Sequence, residues 1–228
     1  MDTRIYIAAH KPFDAPKIEG YIPLHVGRKG KNDLGYIGDD TGDNISEKNP
    51  SFCELTGLYW IWKNISCDIV GLCHYRRYFF CEGSEDGYMH TSDAERILKR
   101  YDIITGKSLL QPGSCLLEQY DKKHVLSDVE VVRRIIEKKY SGYLKAFDEC
   151  MSGRLLELGN MMISSKSIFD DYCKWLFDIL FAAEEMIDLS GREAYQARAF
   201  GFLSERLMHV WIMMHPLSVY ETAFLIPN

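Results

Sequence analysis

The residues best suited to chemistry are His74, Arg76 and Arg77, here called the basic cluster, which follow the apolar run 69–73. An apolar run that ends in polar groups is typical of a buried strand whose carboxyl end lies at the ligand-binding edge of an α/β sheet. Adjacent guanidiniums repel one another unless an anion lies between them, and each matches phosphate oxygens bidentately. The cluster therefore predicts a phosphorylated or nucleotide-linked ligand. The alternative is that Arg76 and Arg77 point to opposite faces of the strand and form surface ion pairs.

The composition describes a folded, aromatic-rich protein. Of its 228 residues, 46% are hydrophobic and 13% aromatic, which argues against disorder. The formal net charge of -6 has the wrong sign for a general nucleic-acid coat, so we expect no nucleic-acid partner. The sequence contains no internal repeat and no low-complexity linker, and we predict a single domain over residues 1–228.

The seven cysteines are scattered and form no Cys-x-x-Cys pair. The amino terminus does not resemble a secretory signal, because Asp2 and Arg4 precede only a short apolar run. This pattern is typical of a reducing compartment, where most cysteines fill the core. No apolar stretch approaches the roughly 20 residues that cross a bilayer. We expect a cytoplasmic protein, with at most a peripheral contact at the inner face of the plasma membrane.

Alternating strands and helices are predicted to position the basic cluster. The glycine-rich polar stretch 27–49 is predicted to be a long loop, and Pro50, with Ser51 and Glu54 as a capping box, marks the start of a helix. The order of elements predicts a three-layer α/β core with a mostly parallel sheet and a helical carboxyl-terminal part. The predicted strands are 4–9, 68–74, 101–105 and 160–164, and the further predicted helices are 91–99, 127–139, 166–186 and 193–214.

Five segments carry a resemblance to a known family. They are residues 40–46 (DTGDNIS), 54–60 (ELTGLYW), 71–78 (GLCHYRRY), 159–163 (GNMMI) and 201–207 (GFLSERL). Together, and over nearly the whole chain, they resemble bacterial exopolysaccharide and capsular-polysaccharide glycosyltransferases of the galactofuranosyltransferase-like type. The resemblance implies a nucleotide-sugar-dependent hexosyltransferase with a GT-A-like α/β fold.

Many GT-A enzymes hold the diphosphate through an Asp-x-Asp motif and a divalent cation, and this sequence contains no such motif. An Asp-x-Glu pair, Asp128 and Glu130, falls in a predicted helix and is interpreted as a solvated face. By analogy, the strand that ends at His74 takes the place of the missing motif, so that the basic cluster neutralises the diphosphate directly. We predict no cofactor and favour transfer without a metal. The alternative is a divalent cation with ligands among Asp40, Asp43 and Asp68.

Further residues are candidates for contacts with the donor. His10 and Lys11 follow the first predicted strand, which borders the nucleotide in GT-A-like proteins, although Lys11 also fits a solvated loop lysine. Asp43 and Asn44 lie in a matched segment and are candidates for sugar or ribose hydroxyls, whereas Asp39 is interpreted as a turn former. The predicted donor-binding residues are His10, Lys11, Asp43, Asn44, Arg76, Arg77, Arg198 and Arg206.

Glu205 lies in the apolar stretch 200–211 of a predicted helix, where an acid needs a partner or water. We predict that it is the general base for the acceptor hydroxyl, with His74 as the second catalytic residue. The alternative is a surface glutamate paired with Arg198 or Arg206. Further candidates for the base are Asp102 and His124.

Two more polar residues are candidates for substrate contacts. Asn160, at the start of a predicted strand, is expected to bind a hydroxyl of the acceptor or the donor. Glu54 either contacts substrate or caps its helix.

The predicted function is transfer of a hexosyl unit, with galactofuranose as the candidate sugar, from a UDP-sugar to a saccharide or lipid-linked saccharide. The product would be a surface polysaccharide. One alternative is a non-catalytic subunit that binds nucleotide sugars or glycans. Another is a nucleotide-binding protein unrelated to sugars.

Overall fold

A central β-sheet organises the computed structural model, which describes residues 1–157 and 159–227. Within these residues the sheet has seven strands, and two pairs of short strands lie outside it. In chain order the strands are β1 (Thr3–Ala9), β2 (Tyr21–His25), β3 (Ile37–Gly38), β4 (Ile69–His74), β5 (Tyr78–Phe79), β6 (Ile103–Gly106), β7 (Leu109–Leu110), β8 (Leu155–Leu156), β9 (Met162–Ser165), β10 (Val219–Thr222) and β11 (Phe224–Leu225).

The central sheet is mostly parallel, as predicted. Its strand order is β10-β6-β9-β4-β1-β2-β3. Strand β1 pairs in parallel with β2 and β4, β2 with β3, and β6 with β10. Strand β9 lies between β4 and β6 and runs antiparallel to both. The pairing of β1 with β4 places Ala8 opposite His74, so these two strands end side by side.

The helices of the described residues cover both faces of the sheet. They are α1 (Asn49–Phe52), α2 (Leu55–Asn64), α3 (Thr91–Ile97), α4 (Leu116–Lys123), α5 (Leu126–Lys139), α6 (Leu144–Ser152), α7 (Lys166–Glu184) and α8 (Ala199–Met214). The predicted helices 91–99, 127–139 and 166–186 are present to within about two residues at each end, the usual uncertainty of a helix boundary. Helix α8 begins at Ala199 rather than at 193.

The strands are buried on both faces. In β1, Tyr6 and Ala8 enter the larger core with α2 and α4 to α8, whereas Ile5 and Ile7 enter the smaller core with α3. This division follows from the two-residue period of a strand, and it explains why β1 is an almost continuous apolar run. Each large apolar side chain buried in this way contributes about 1.5–3 kcal/mol. Three layers result, as predicted.

The predicted capping box at Ser51 and Glu54 is wrong. The helical conformation is interrupted between α1 and α2, where Cys53 has a left-handed φ of 53°. No side chain caps α2. Ser51 Oγ donates instead to the backbone carbonyl of Lys48. The Glu54 carboxylate is therefore not engaged in holding its own helix.

The interpretation of Asp128 as part of a solvated face is also wrong. Its side chain is buried and accepts hydrogen bonds from both terminal nitrogens of Arg192, at 2.6 and 2.8 Å. Glu130 is exposed, as predicted. Asp39 is fully buried and accepts from the backbone N–H of Gly27, which organises the predicted long loop. Both aspartates thus hold loops in place.

Candidate active site

A cleft of about 610 Å³ opens at the edge of the sheet where β1 and β4 end. His10 follows β1, His74 ends β4, and Glu205 reaches the same space from α8. Residues at the carboxyl ends of parallel strands meet at one edge, which is where open α/β sheets bind ligands. The fold therefore brings together His10 and Glu205, which are 195 residues apart in the sequence.

The basic cluster begins at His74, the last residue of β4, and continues into a tight turn formed by Tyr75 and Arg76. The N–H of His74 donates to the carbonyl of Arg77 at 3.1 Å, and the N–H of Arg77 donates to the carbonyl of His74 at 3.0 Å. Tyr75, Arg76 and Arg77 all line the cleft. Within the described chain, the arginines that form ion pairs lie elsewhere, so the alternative of surface ion pairs is wrong. Both guanidiniums are available to an anion.

Arg198 brings a third guanidinium to the cleft. It lies in the short 3-10 turn Gln196–Arg198, and its Nε donates to Sγ of Cys53 at 3.1 Å. Burial raises the pKa of the Cys53 thiol to about 11, so the sulfur is a neutral acceptor. Burial, followed by the charge of Arg76, lowers the pKa of His10, which is therefore neutral at pH 7. Three cations in one cleft match the charge of a diphosphate.

The turn formed by Gly159 and Asn160 holds the catalytic candidates. The N–H of Gly159 donates to Oε1 of Glu205 at 3.0 Å, and its carbonyl lies 2.8 Å from Nε2 of His74. Gly159 and Asn160 have left-handed φ angles of 73° and 50°. A Cβ at position 159 would lie 3.2 Å from Cε1 of His74, so glycine is needed for space as well as for conformation.

The environment of Glu205 suits proton transfer near neutral pH. Its side chain is 20% exposed, and burial raises the pKa of the carboxyl to about 7. Arg206, whose Nη1 lies 3.1 Å from Oε2, lowers this pKa, whereas the nearby carboxylate of Glu54 raises it. A carboxyl with this pKa exchanges its proton readily at neutral pH, as a general base must.

His74 is neutral in this environment. Burial, then the charge of Arg77, lowers the pKa of its imidazole to about 4. Because Nε2 faces a carbonyl oxygen, it carries the proton and donates to Gly159. The imidazole N–H is used in this hydrogen bond, which stabilises the turn. The catalytic role of His74 stays a prediction.

Asn160 connects the turn to Glu54. It is fully buried, and its Nδ2 donates to Oε1 of Glu54 at 2.9 Å and to Oγ of Ser204 at 2.8 Å. Ser204 Oγ uses its single proton to donate to the carbonyl of Gly201 at 2.7 Å, so it must accept from Asn160. The side chain of Asn160 therefore positions Glu54, and Glu54 lines the cleft.

A family profile described as a domain of unknown function, DUF4422, matches residues 4–216, from β1 to beyond the end of α8. The chain belongs to the DUF4422 family. A solved structure described as the apo form of WbbM, a bifunctional glycosyltransferase, is 32% identical to this chain and superposes on it with a TM-score of 0.90. The match covers 99% of this chain and 45% of that one. No curated protein matches the chain.

The likeness to WbbM confirms that this DUF4422 protein has the predicted GT-A-like α/β fold. The chain spans 45% of the length of WbbM, so the match corresponds to one part of that protein. The family match and the likeness to WbbM support the glycosyltransferase part of the resemblance carried by the five sequence segments.

Several predicted donor residues of the DUF4422 protein do not line the cleft. Asp43 accepts from the hydroxyl of Tyr59, and Asn44 donates to the carbonyl of Gly42. Both therefore stabilise their own loop, and their positions do not support the predicted donor contact. Lys11 lies at the rim, with Nζ 5.6 Å from the centre of the Tyr75 ring.

Arg206 is placed differently from the other predicted cations. It is buried, with Nη1 donating to the carbonyl of Phe202 and Nη2 to Oε1 of Gln119, both at 2.7 Å. Its third partner is Glu205. The structure therefore makes Arg206 a partner of Glu205 behind the cleft, which corrects its assignment to the donor.

The two further candidates for the base also lie outside the cleft lining. Asp102 accepts from the hydroxyl of Ser218 at 2.6 Å, and this bond lowers the pKa of its carboxyl. His124 stacks on Phe202, with ring centres 3.9 Å apart, and burial lowers the pKa of its imidazole to about 4. Glu205 is therefore better placed than either of them.

The acids that line the cleft are Glu54 and Glu205. Among residues 1–157 and 159–227, no group of three or more His, Cys, Asp and Glu side chains has the arrangement of metal ligands. The cleft carboxylates already accept hydrogen bonds, Glu54 from Asn160 and Glu205 from Gly159. The alternative ligands Asp40 and Asp68 contact Arg28 and the backbone of Asp2 instead.

A separate property concerns the bilayer. In the part of the chain that the structure describes, no helix combines the length and the apolar character needed to span a membrane.

Sequence reasoning missed Cys53 and Phe202 as cleft residues. Cys53 carries no local signal, because a left-handed φ is unusual for a residue other than glycine. Phe202 lies in a matched segment but reads as an ordinary core aromatic. The matched segment 54–60 did signal a functional role for Glu54. Because the carboxylate of Glu54 does not cap its helix, it is available for such a role.

Proposed function

We propose that this DUF4422 protein is a glycosyltransferase that moves a hexosyl unit from a UDP-sugar to a hydroxyl of a saccharide or lipid-linked saccharide. Galactofuranose is the first sugar to test, and synthesis of a surface polysaccharide is the proposed setting. The observation that carries the proposal is that Glu205, with a pKa of about 7, shares one cleft with the guanidiniums of Arg76, Arg77 and Arg198. A cationic site for the leaving group in the same cleft as a base suits glycosyl transfer to a hydroxyl.

Each group has a place in the proposed reaction. The bond between the anomeric carbon and the β-phosphate oxygen breaks, and the leaving UDP keeps the electron pair. Arg76, Arg77 and Arg198 stabilise the negative charge that develops on the diphosphate. The acceptor oxygen forms the new bond to the anomeric carbon, and its proton moves to Glu205.

The protein itself prepares this site before substrate binds. Gly159 and Arg206 each bond to one oxygen of the Glu205 carboxylate and thereby fix its orientation. A preorganised base lowers the barrier because little rearrangement is needed at the moment of reaction. His74 and His10 are neutral, so His74 does not help to neutralise the diphosphate as expected from the sequence, and this role falls to the guanidiniums.

The test is a panel of UDP-sugars, including UDP-galactofuranose, measured first by thermal shift and then by release of UDP in the presence of saccharide acceptors. Ligands that bind the native state raise the melting temperature. We expect one donor to stabilise the protein more than UDP alone and to be turned over. Stabilisation without turnover over the full set of acceptors would favour the non-catalytic subunit, and equal stabilisation by UDP and all UDP-sugars would contradict the proposal.

A further inference from the structure

Glu54 is a second carboxylate of the cleft, and its position results from the interruption between helices α1 and α2. Cys53, just before it, has φ 53°, and its carbonyl accepts from Nδ2 of Asn49 at 2.8 Å. A left-handed residue without glycine costs of order 1 kcal/mol, which the surrounding contacts must offset. The break separates α1 from α2 and turns the Glu54 side chain to the cleft wall instead of along the helix.

The partner of Glu54 is fixed by a chain of hydrogen bonds. Ser204 donates to Gly201 and so accepts from Asn160, which leaves the second amide proton of Asn160 for Oε1 of Glu54. The buried amide thus orients the carboxylate as an acceptor. No Lys or Arg of the described residues forms an ion pair with Glu54, so this acid is not held for salt-bridge stability.

Glu54 shares the cleft with the three guanidiniums and with Glu205. Burial raises the pKa of its carboxyl, while Asn160 and the charges of Arg198 and Arg77 lower it. Glu54 in turn raises the pKa of Glu205. The guanidiniums are the proposed diphosphate site, and Glu205 is the proposed base. The sugar that joins the diphosphate to the reacting acceptor must occupy the space between them.

We infer that Glu54 binds hydroxyl groups of the sugar that is transferred and thereby selects the donor. The inference rests on the proposed function and adds a residue that contacts the sugar of the donor. A carboxylate accepts hydrogen bonds from hydroxyls at defined positions, so it distinguishes sugars that differ in the presence or direction of one hydroxyl. Such a contact contributes to binding of the donor before the reaction, whereas Glu205 takes the proton of the acceptor during the reaction.

The principal test compares Glu54→Gln with wild type. The amide keeps an oxygen for Asn160 but lacks the charge of the carboxylate. We expect the Kd of the preferred UDP-sugar, measured by calorimetry, to rise about 10- to 100-fold, the value of a hydrogen bond to a charged group. The Kd of UDP alone should stay within about twofold, because UDP lacks the sugar. Glu47→Gln is the matched control, since Glu47 is exposed in the preceding 3-10 turn.

A series of deoxy-sugar donors completes the test. Wild type should bind one of these donors, which lacks a single hydroxyl, as weakly as Glu54→Gln binds the intact donor. In the variant, removal of that hydroxyl should have no further effect, which is the signature of a direct contact in a double cycle. Equal weakening of UDP and UDP-sugar, or unchanged affinity for every donor, would overturn the inference.

Two arms keep the result interpretable. If Glu54→Gln lowers the melting temperature, Glu54→Asp retains the charge, and its loss of sugar selectivity without loss of UDP binding would support the inference. If wild type binds a UDP-sugar but no acceptor yields product, the transferase proposal fails while the role of Glu54 is still measured by binding. If wild type shows no preference between UDP and any UDP-sugar, the inference is wrong.

Discussion

The backbone N–H of Gly159 donates to Oε1 of Glu205 at 3.0 Å, so a glycine turn fixes the direction of the buried acid. The same glycine accepts at its carbonyl from His74, and a Cβ at position 159 would lie only 3.2 Å from the imidazole ring. The acid and the imidazole are thus coupled through one residue that has no side chain. A change at that residue should affect both.

Gly159→Ala should destabilise the fold and lower kcat. The residue has φ 73° and its Cβ would lie 3.2 Å from His74, so we expect a loss of about 1–2 kcal/mol for the backbone alone, plus a displacement of Glu205. Urea denaturation and initial rates measure the two effects. Gly30→Ala is the matched control, because Gly30 also has φ 73° but no atom lies within 4 Å of its Cβ position. Equal rates in the two variants would contradict the role of the turn.

Arg76→Ala and Arg77→Ala should each weaken the binding of UDP-sugar and leave the fold intact. Both guanidiniums line the cleft without an ion-pair partner in the described chain, and loss of a charge-assisted contact costs about 1.5–3 kcal/mol. Calorimetric titration with the donor measures the effect. Arg134→Ala, on the exposed side of α5, should bind normally. Unchanged donor affinity in both cluster variants would remove the basic cluster from the donor site.

Turnover should survive thorough treatment with EDTA. The expectation follows from the three guanidiniums, which supply the electrostatic stabilisation that a cation gives the diphosphate in other enzymes. Release of UDP before and after chelation is the measurement. Loss of activity that Mg²⁺ or Mn²⁺ restores would show the prediction to be wrong.

Glu205→Gln should lower kcat by about 10²- to 10⁴-fold with little change in donor affinity. The amide still accepts from Gly159 but cannot take the proton of the acceptor. In wild type, kcat/KM should rise with pH up to about 7, the pKa to which burial raises this carboxyl, and the rise should be absent in the variant. Near-normal kcat in a folded variant would exclude Glu205 as the base.

The same pair of proteins tests the burial of Glu205 without any substrate. Burial raises the pKa from 4.5 to about 7, so between these values the folded state retains a proton that the unfolded state loses. The contribution of this carboxyl to stability is therefore complete below about pH 4.5 and is lost as the pH rises to about 7. The free energy of unfolding of wild type minus that of Glu205→Gln should fall across this range. A constant difference would mean that the carboxyl is not desolvated.

The sequence was informative where one physical preference dominates. Strands β1 and β4 are apolar on both faces, and polar residues follow them at once, so the sheet edge and the positions of His10 and the basic cluster were predictable. Glu205 was predictable because an acid in an apolar helix needs a special environment.

Other positions depended on packing that no local pattern reveals. Arg198 and Arg206 lie in the same segment, yet Arg198 lines the cleft and Arg206 is drawn behind it by Gln119 of the distant helix α4. Asp43 lies in a matched segment but bonds to Tyr59, so membership of a motif did not imply contact with a ligand. The break at Cys53 required a φ that its residue type does not predict.

The reversed direction of β9 changes which of its neighbouring segments shapes the substrate space. The backbone of Lys166, just after β9, bonds to Asp68 ahead of β4, at the edge of the sheet opposite the cleft. The turn that leads into β9 meets His74 at the cleft edge. Changes in the turn before β9 should therefore disturb the cleft, whereas insertions at the junction of β9 with α7 should leave sugar specificity unchanged. An engineer can therefore attach new sequence at the junction but must preserve the turn.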